Sequence, residues 1–156
     1  AKKDLGLMAI AYGNVYVACV AFGAKDAQTV KAFQEADSFP GASLIIAYSP
    51  CIAHGYDLAQ SLDQQDLAIE TGYWTLYRHD PRRAAAGENP LKLDSPAPKG
   101  DLRDFMRNET RFKTIEQRDP KRFEQLAAAA QQELGRRFAL YSALAQPRAR
   151  SNPTKT

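Results

Sequence analysis

The side chain best placed for chemistry in this sequence is the thiol of Cys51. A fully apolar run, residues 44–48, stops at Ser49 and Pro50, and the cysteine follows at once. In open parallel sheets, ligands bind in the crevice beyond the carboxyl ends of the strands. A helix starting after Cys51 would present its positive end to a thiolate and favour metal ligation. Cysteine is also among the most buried residue types, so these residues alone favour an inert thiol at a strand end.

Metal chemistry at Cys51 requires help from outside this segment. An iron–sulfur cluster normally takes four protein ligands, and one cysteine cannot hold it. The only other cysteine, Cys19, lies among valine and alanine in a predicted strand and is expected to pack in the core. No CxxC pair or cysteine–histidine cluster provides a self-contained metal site.

The remaining polar candidates have ordinary structural explanations. His54 follows Cys51 by three residues, close enough to tune a bound group, although a hydrogen bond to a turn carbonyl is the commoner role. His79 is predicted at the surface. Four acidic residues at near-helical spacing predict a solvated face: Asp57, Asp63, Asp66 and Glu70. The arginine pairs at 82–83 and 136–137 could steer an acidic electron carrier, but they favour a solvated basic face.

Composition indicates one ordinary globular domain. The chain has 156 residues, of which 44% are hydrophobic and 25% charged, enough for a real core. The net charge is +3, and Arg148, Arg150 and Lys155 account for all of it, since 3 − 3 = 0. Without a wider basic surface or the aromatic pattern of an RNA platform, no nucleic-acid partner is expected.

The sequence also bears on the compartment. Its apolar runs are too short to span a bilayer, so no membrane partner is expected. Two thiols and no secretory leader favour a reducing, cytoplasmic environment. The first residue is Ala1 rather than methionine, so we expect a processed start or a piece of a longer chain.

The apolar pattern predicts an α/β fold followed by a helical part. A first helix is predicted at 4–12. A strand at 15–20, a helix at 26–36 and a buried strand at 43–48 then form a βαβ unit with a parallel crossover. Val30 and Phe33 are predicted on the inner face of the second helix. This front part resembles half of an open sheet, which would leave an unpaired edge.

Helices dominate the second half of the predicted fold. A long helix begins at Asp119 and Pro120, a capping residue followed by proline at the first position. Its apolar face is predicted to hold Phe123, Leu126, Ala130, Leu134, Phe138, Tyr141 and Leu144. The other elements are predicted helices at 56–62, 65–69, 101–108 and 111–117, a strand at 74–78 and a short extended segment at 91–93. Residues 1–146 form the folded part, and 147–156 are predicted to be a flexible basic tail.

Over about residues 1–145, the sequence resembles pyruvate:ferredoxin (flavodoxin) oxidoreductase. Six stretches in order, with the family's spacing, make the match specific: residues 2–8, 12–18, 47–55, 71–78, 89–91 with 93–95, and 108–112. The resemblance implies the C-terminal half of a thiamine-diphosphate-binding fold, a parallel sheet with helices, followed by a helical C-terminal extension.

The resemblance also implies an activity, with Cys51 as its metal ligand in this chain. The family decarboxylates pyruvate on thiamine diphosphate, makes acetyl-coenzyme A and passes electrons through 4Fe-4S clusters to ferredoxin or flavodoxin. Cys51 would give one cluster thiolate. The other cluster cysteines and the ligands of thiamine diphosphate and Mg²⁺ would precede Ala1. The implied partners are the remainder of the oxidoreductase polypeptide, coenzyme A, pyruvate and a second copy of the intact enzyme. Alone, the chain is expected to be inactive.

Two alternatives remain open from the residues themselves. The α/β part and the long helix could form a non-catalytic interaction module that packs subunits together. The chain could instead belong to an oxidoreductase for another 2-oxoacid, since substrate selection would lie mostly outside this segment. Iron content of a complex with the preceding segment would separate the enzyme from the module.

Overall fold

The computed structural model of the chain describes residues 3–146. The predicted basic tail at 147–156 lies outside the described residues. Within that range the helices are α1 Leu5–Ile10, α2 Asp26–Asp37, α3 Ser61–Glu70, α4 Arg82–Ala85, α5 Leu102–Asn108, α6 Thr110–Arg118 and α7 Pro120–Leu144. The strands are β1 Tyr16–Val20, β2 Ser43–Ala47, β3 Tyr77–His79 and β4 Leu91–Leu93, and two 3₁₀ turns span Ile52–His54 and Leu58–Gln60. The predicted α/β class with a helical C-terminal part is confirmed.

The four strands form one mixed sheet in the order β2-β1-β3-β4. β1 and β2 are parallel, with Tyr16 opposite Ser43 and Val20 opposite Ala47, as the βαβ pattern predicts. β3 and β4 run antiparallel to their neighbours, so only one pair of the expected parallel sheet is parallel. β3 and β4 are joined by a connection short enough to reverse the chain, which antiparallel pairing allows.

Strand burial follows sheet position. β1 is central, and all five of its residues are buried. β2 lies at the edge, and its end residues Ser43 and Ala47 are exposed, so the prediction of a second fully buried strand is wrong. Within the described residues β2 pairs on one side only, which leaves a row of backbone groups open to another strand.

The inner face of α2 differs from the prediction. Val30 and Phe33 are 51% and 56% exposed, whereas Thr29 and Ala32 are buried. One residue corresponds to about 100° around a helix, so a shift of one position turns the predicted face outward. The small side chain of Ala32 packs against the buried side chains of β1.

A buried ion-pair network connects α2 with β3. Arg78, in the middle of β3, donates to Asp94 from Nε at 2.8 Å and from Nη2 at 3.0 Å. It also pairs with Glu35 of α2, which accepts a hydrogen bond from Tyr16 Oη at 2.9 Å. A buried charge is costly unless it is paired, and these contacts satisfy the guanidinium. The neighbouring His79 is buried as well, so its predicted surface position is wrong, because β3 lies between β1 and β4.

Helix α7 packs against the sheet near its C-terminal end. Asp119 caps it by accepting from the Arg122 N–H at 2.9 Å. Near its end, Tyr141 stacks on Tyr77 of β3 with ring centroids 4.6 Å apart and donates to Asp4 Oδ2 at 2.6 Å. Of the predicted apolar face, Phe123 and Tyr141 are buried, the middle is half-buried, and Leu126 and Leu144 are exposed. No helix among residues 3–146 is both long and apolar enough to cross a membrane.

Candidate functional site

Cys51 lies four residues beyond the end of β2, on the edge where the parallel strands β1 and β2 both end. Its side chain is a free thiol and is exposed. Its backbone is extended, with φ −141° and ψ 134°. The expectation of a buried cysteine at this position is therefore wrong, and the thiol is open to a partner outside the described residues.

The segment after Cys51 is a single 3₁₀ turn rather than a helix. His54 N–H donates to the Cys51 carbonyl at 3.0 Å, and Gly55 N–H donates to Ile52 at 3.0 Å. Cys51 makes no side-chain cap hydrogen bond to this turn. A three-residue turn aligns few peptide dipoles, so the predicted helix-end effect on the thiol has no helix to supply it. We refer to residues 48–55 as the cysteine loop.

The cysteine loop is fastened to the start of α6. Thr110 N–H donates to the Gly55 carbonyl at 3.1 Å, and Thr110 Oγ1 donates to the same oxygen at 2.5 Å. Gly55 has φ +73°, and a Cβ placed there would lie 2.6 Å from Thr110 Cβ. Two features require glycine at this position: its left-handed backbone conformation and the close approach of α6.

A buried carboxylate lies immediately before that contact. Glu109 joins α5 to α6 and is 0% exposed. Its Oε1 accepts from Gln64 Nε2 at 3.1 Å, and Arg111 forms an ion pair with its other oxygen. The same Oε1 lies 3.8 Å from Nδ1 of His54. A charged group buried to this degree is stable only with such partners.

Several polar atoms around this carboxylate have no hydrogen-bond partner within residues 3–146. They are Tyr48 Oη, His54 Nδ1 and Tyr56 Oη, and each is shielded from solvent. Burial raises the pKa of Tyr48 and of Tyr56 above the ordinary tyrosine value, and the negative charge of Glu109 raises both further. The cysteine loop therefore faces buried polar groups on its Glu109 side, whereas most residues of the loop itself, Cys51 included, are exposed.

The other predicted residues are not part of this site. Cys19 is buried in β1, as predicted, and burial raises its thiol pKa to about 12. Asp57 caps the second 3₁₀ turn by accepting from Ala59 N–H at 2.9 Å. The acidic residues of α3 are exposed: Asp63, Asp66 and Glu70.

The two arginine pairs are engaged locally. Ion pairs connect Arg82 with Asp80, Arg83 with Glu88, and Arg136 with Glu133. Arg137 donates to the Tyr73 carbonyl at 3.1 Å. The carboxylates offset the charges of Arg82, Arg83 and Arg136, whereas Arg137 binds a neutral carbonyl and keeps its positive charge.

Sequence reasoning missed Glu109 as a site residue. Residues 108–112 carry part of the family resemblance, but an isolated glutamate between two helices resembles a surface residue. The available signal was its position: Glu109 is the last residue before a helix, where a side chain can turn inward.

Comparison with known proteins first gives the class: the chain is homologous to one segment of much longer oxidoreductases. These relatives are named pyruvate-flavodoxin oxidoreductase in Rhodospirillum rubrum, 55% identical over 92% of this chain, and in Trichormus variabilis, 50% identical over 93%. A protein of Moorella thermoacetica that is 46% identical over 93% of the chain is named pyruvate:ferredoxin oxidoreductase. The chain spans about 12% of the length of each. No protein-family model matches the chain.

The residues at the site fit one part of an iron–sulfur cluster's ligand set. A cluster normally takes four protein ligands, and residues 3–146 contain no group of three or more His, Cys, Asp or Glu side chains that could hold a metal ion. The exposed, free thiol of Cys51 suits a single ligand to a group whose other ligands come from elsewhere.

Proposed function

We propose that this chain works as part of a larger pyruvate:flavodoxin or pyruvate:ferredoxin oxidoreductase. The observation that carries the proposal is the 55% identity to the Rhodospirillum rubrum relative over 92% of the chain. Thiamine diphosphate, Mg²⁺, pyruvate and coenzyme A would bind to segments outside this chain, in a homodimeric enzyme. The holoenzyme is here the complete oxidoreductase that contains this chain.

The contribution of this chain to the chemistry is one thiolate, that of Cys51. A 4Fe-4S cluster accepts and donates single electrons when bound. Three features support Cys51 as one of its ligands: the thiol is exposed, it follows the end of a parallel strand, and its loop is fastened to α6 through Gly55. Cys19, buried and with a raised pKa, stays protonated in the core.

The residues around the cysteine loop orient the thiol. Thr110 holds the Gly55 carbonyl with two hydrogen bonds, and the 3₁₀ turn fixes the backbone between Gly55 and Cys51. A ligand held by a defined backbone loses less conformational entropy when it binds its metal.

Replacing Cys51 with alanine in the holoenzyme tests the proposal. A cluster that loses one of four thiolates becomes labile or takes a substitute ligand, so iron per protein should fall and electron transfer to flavodoxin should slow more than pyruvate decarboxylation. Cys19→Ala is the matched control, with a packing cost of about 1 kcal/mol and normal iron. Full iron and unchanged low-temperature electron paramagnetic resonance in Cys51→Ala would refute the ligand assignment.

The same preparation addresses the alternative functions. A colourless complex without iron would favour the interaction module. If the complex contains iron but turns over another 2-oxoacid in preference to pyruvate, that 2-oxoacid would be assigned as the substrate instead.

A further inference from the structure

We propose that Glu109 is a positioning residue for Cys51, with its buried carboxylate placed behind the cysteine loop, 3.8 Å from His54. The proposal rests on the proposed function, because the positioned thiolate is the cluster ligand named there. Among the carboxylates of residues 3–146, Glu109 is the one that is both fully buried and next to this loop.

The carboxylate of Glu109 is buried within a network of polar side chains. Glu109 is fully shielded from water at the junction of α5 and α6. Gln64 reaches it from α3 and also donates to the Phe105 carbonyl at 3.2 Å. Asn108 Nδ2 in turn donates to Gln64 Oε1 at 3.0 Å. An apolar residue would be cheaper to bury at this position, so a buried carboxylate with several polar partners indicates a use for the group.

Residues 109–110 contact the cysteine loop at two places. At one end of the 3₁₀ turn, Thr110 binds the Gly55 carbonyl through both its N–H and its hydroxyl. Within the turn, Glu109 Oε1 lies 3.8 Å from His54 Nδ1, and the His54 N–H is bonded to the Cys51 carbonyl. Glu109 therefore lies against the loop at His54 without a hydrogen bond to it, and its covalent neighbour Thr110 makes the hydrogen bonds that hold the loop.

The ion pair of Glu109 leaves one of its oxygens turned toward the cysteine loop. The cation that pairs with Glu109 is Arg111, which is about one-third exposed and also lies over the Phe112 ring at 4.6 Å. Arg111 pairs with Oε2, whereas the oxygen that faces the cysteine loop, Oε1, accepts from the neutral amide of Gln64. Negative charge near a cluster opposes the addition of an electron, and groups around the ligands tune its reduction potential in this way.

Glu109→Gln in the holoenzyme separates this role from simple packing, because glutamine keeps the shape and removes the charge. We expect iron content to stay normal while the cluster's reduction potential moves to a more positive value, measured by redox titration followed by electron paramagnetic resonance. Glu88→Gln is the matched control, since Glu88 is exposed next to β4 at the far edge of the sheet. A potential for Glu109→Gln equal to that of Glu88→Gln would overturn the proposal.

A second pair of variants keeps the test decisive if Glu109→Gln does not fold. Thr110→Val removes the hydroxyl that binds Gly55, and Thr110→Ser restores it. We expect Thr110→Val to broaden or shift the resonance signal and Thr110→Ser to recover it; identical spectra for both would reject positioning by residues 109–110. If Cys51→Ala leaves the cluster intact, the proposed function fails. If Cys51→Ala disrupts the cluster while Glu109→Gln and Thr110→Val change nothing, only this inference fails.

Discussion

The difference between the two cysteines is the main finding at the scale of single residues. Both are free, but Cys19 is buried in the central strand and Cys51 is exposed beyond the edge strand. Burial disfavours the thiolate of Cys19, which its raised pKa of about 12 reflects. A ligand must be deprotonated and reachable, so only Cys51 meets the geometric requirement.

Gly55 gives a stability prediction at this scale. Gly55→Ala should destabilise the fold by at least about 1–2 kcal/mol, because the residue has a left-handed backbone and its Cβ would collide with Thr110. Chemical denaturation of the dilute chain, followed through the fluorescence of its single tryptophan, Trp74, measures this change.

Gly135 is the matched control for Gly55→Ala. It lies within α7, and nothing approaches its Cβ position within 4 Å. Gly135→Ala should therefore stabilise the chain by about 0.5–1 kcal/mol. Equal effects of the two substitutions would show that Gly55 is under no constraint.

Single residues show where sequence reasoning succeeds and where it ends. The residues alone favoured an inert thiol at Cys51, and its assignment as a ligand came from the family resemblance and stays a prediction; the structure shows that the thiol is exposed. Glu109 was not predicted as a site residue, because its burial depends on α3 and α6 meeting, and no local pattern encodes that contact. His79 was predicted at the surface because a histidine beside Asp80 resembles a strand end, whereas β4 covers it.

At the scale of elements, two tyrosines join α7 to the sheet. Tyr141 and Tyr77 stack at 4.6 Å, and both are buried. Burial raises the pKa of each above its ordinary value, and for Tyr141 the hydrogen bond to Asp4 raises it further. The folded chain therefore keeps both phenol protons at a pH where the unfolded chain releases them.

Stability should consequently fall as the pH rises through about 10. Below the tyrosine pKa of the unfolded chain, both states hold these protons and the tyrosines add no pH dependence. Above that pKa the unfolded chain loses the protons first, so the free energy of unfolding falls by about 1.4 kcal/mol per pH unit for each buried tyrosine. Thermal unfolding at a series of pH values from 7 to 11 measures how the melting temperature depends on pH. Tyr141→Phe should reduce that dependence, and the exposed Tyr12→Phe should not. A melting temperature constant to pH 11 would contradict the account.

The elements were predicted well where local patterns decide them. β1 is uniformly apolar and central, and Asp119 with Pro120 marks the start of α7. Strand direction was not predicted for β3, because a buried strand has the same pattern in either orientation. Trp74 was assigned to that strand, but its Nε1 donates to the Val20 carbonyl at 3.0 Å as a side-chain anchor before β3 begins.

At the scale of the whole molecule, the open edge of the sheet is the dominant feature. β2 pairs on one side only among the described residues. Large apolar side chains are exposed elsewhere on the surface, among them Phe22, Phe33 and Ile52. Unpaired edges and exposed apolar groups favour association with another chain.

The isolated chain should therefore self-associate or have a low melting temperature. Size-exclusion chromatography over a range of concentrations, combined with thermal melts, measures both properties. Adding the rest of the oxidoreductase should suppress the association, because that segment would cover the exposed surface. If the chain is a compact monomer with a sharp thermal transition at all concentrations, the claim that it is part of a larger domain would be contradicted.

The most direct measurement of the central claim examines the atom bonded to Cys51 itself. Selenocysteine placed at position 51 of the holoenzyme gives a selenium atom whose X-ray absorption spectrum reports its neighbours. Our account predicts an iron neighbour at bonding distance from that selenium, and selenocysteine at position 19 should show carbon neighbours alone. A spectrum from position 51 with only light-atom neighbours, in a preparation with full iron content, would contradict the assignment of Cys51 as a cluster ligand.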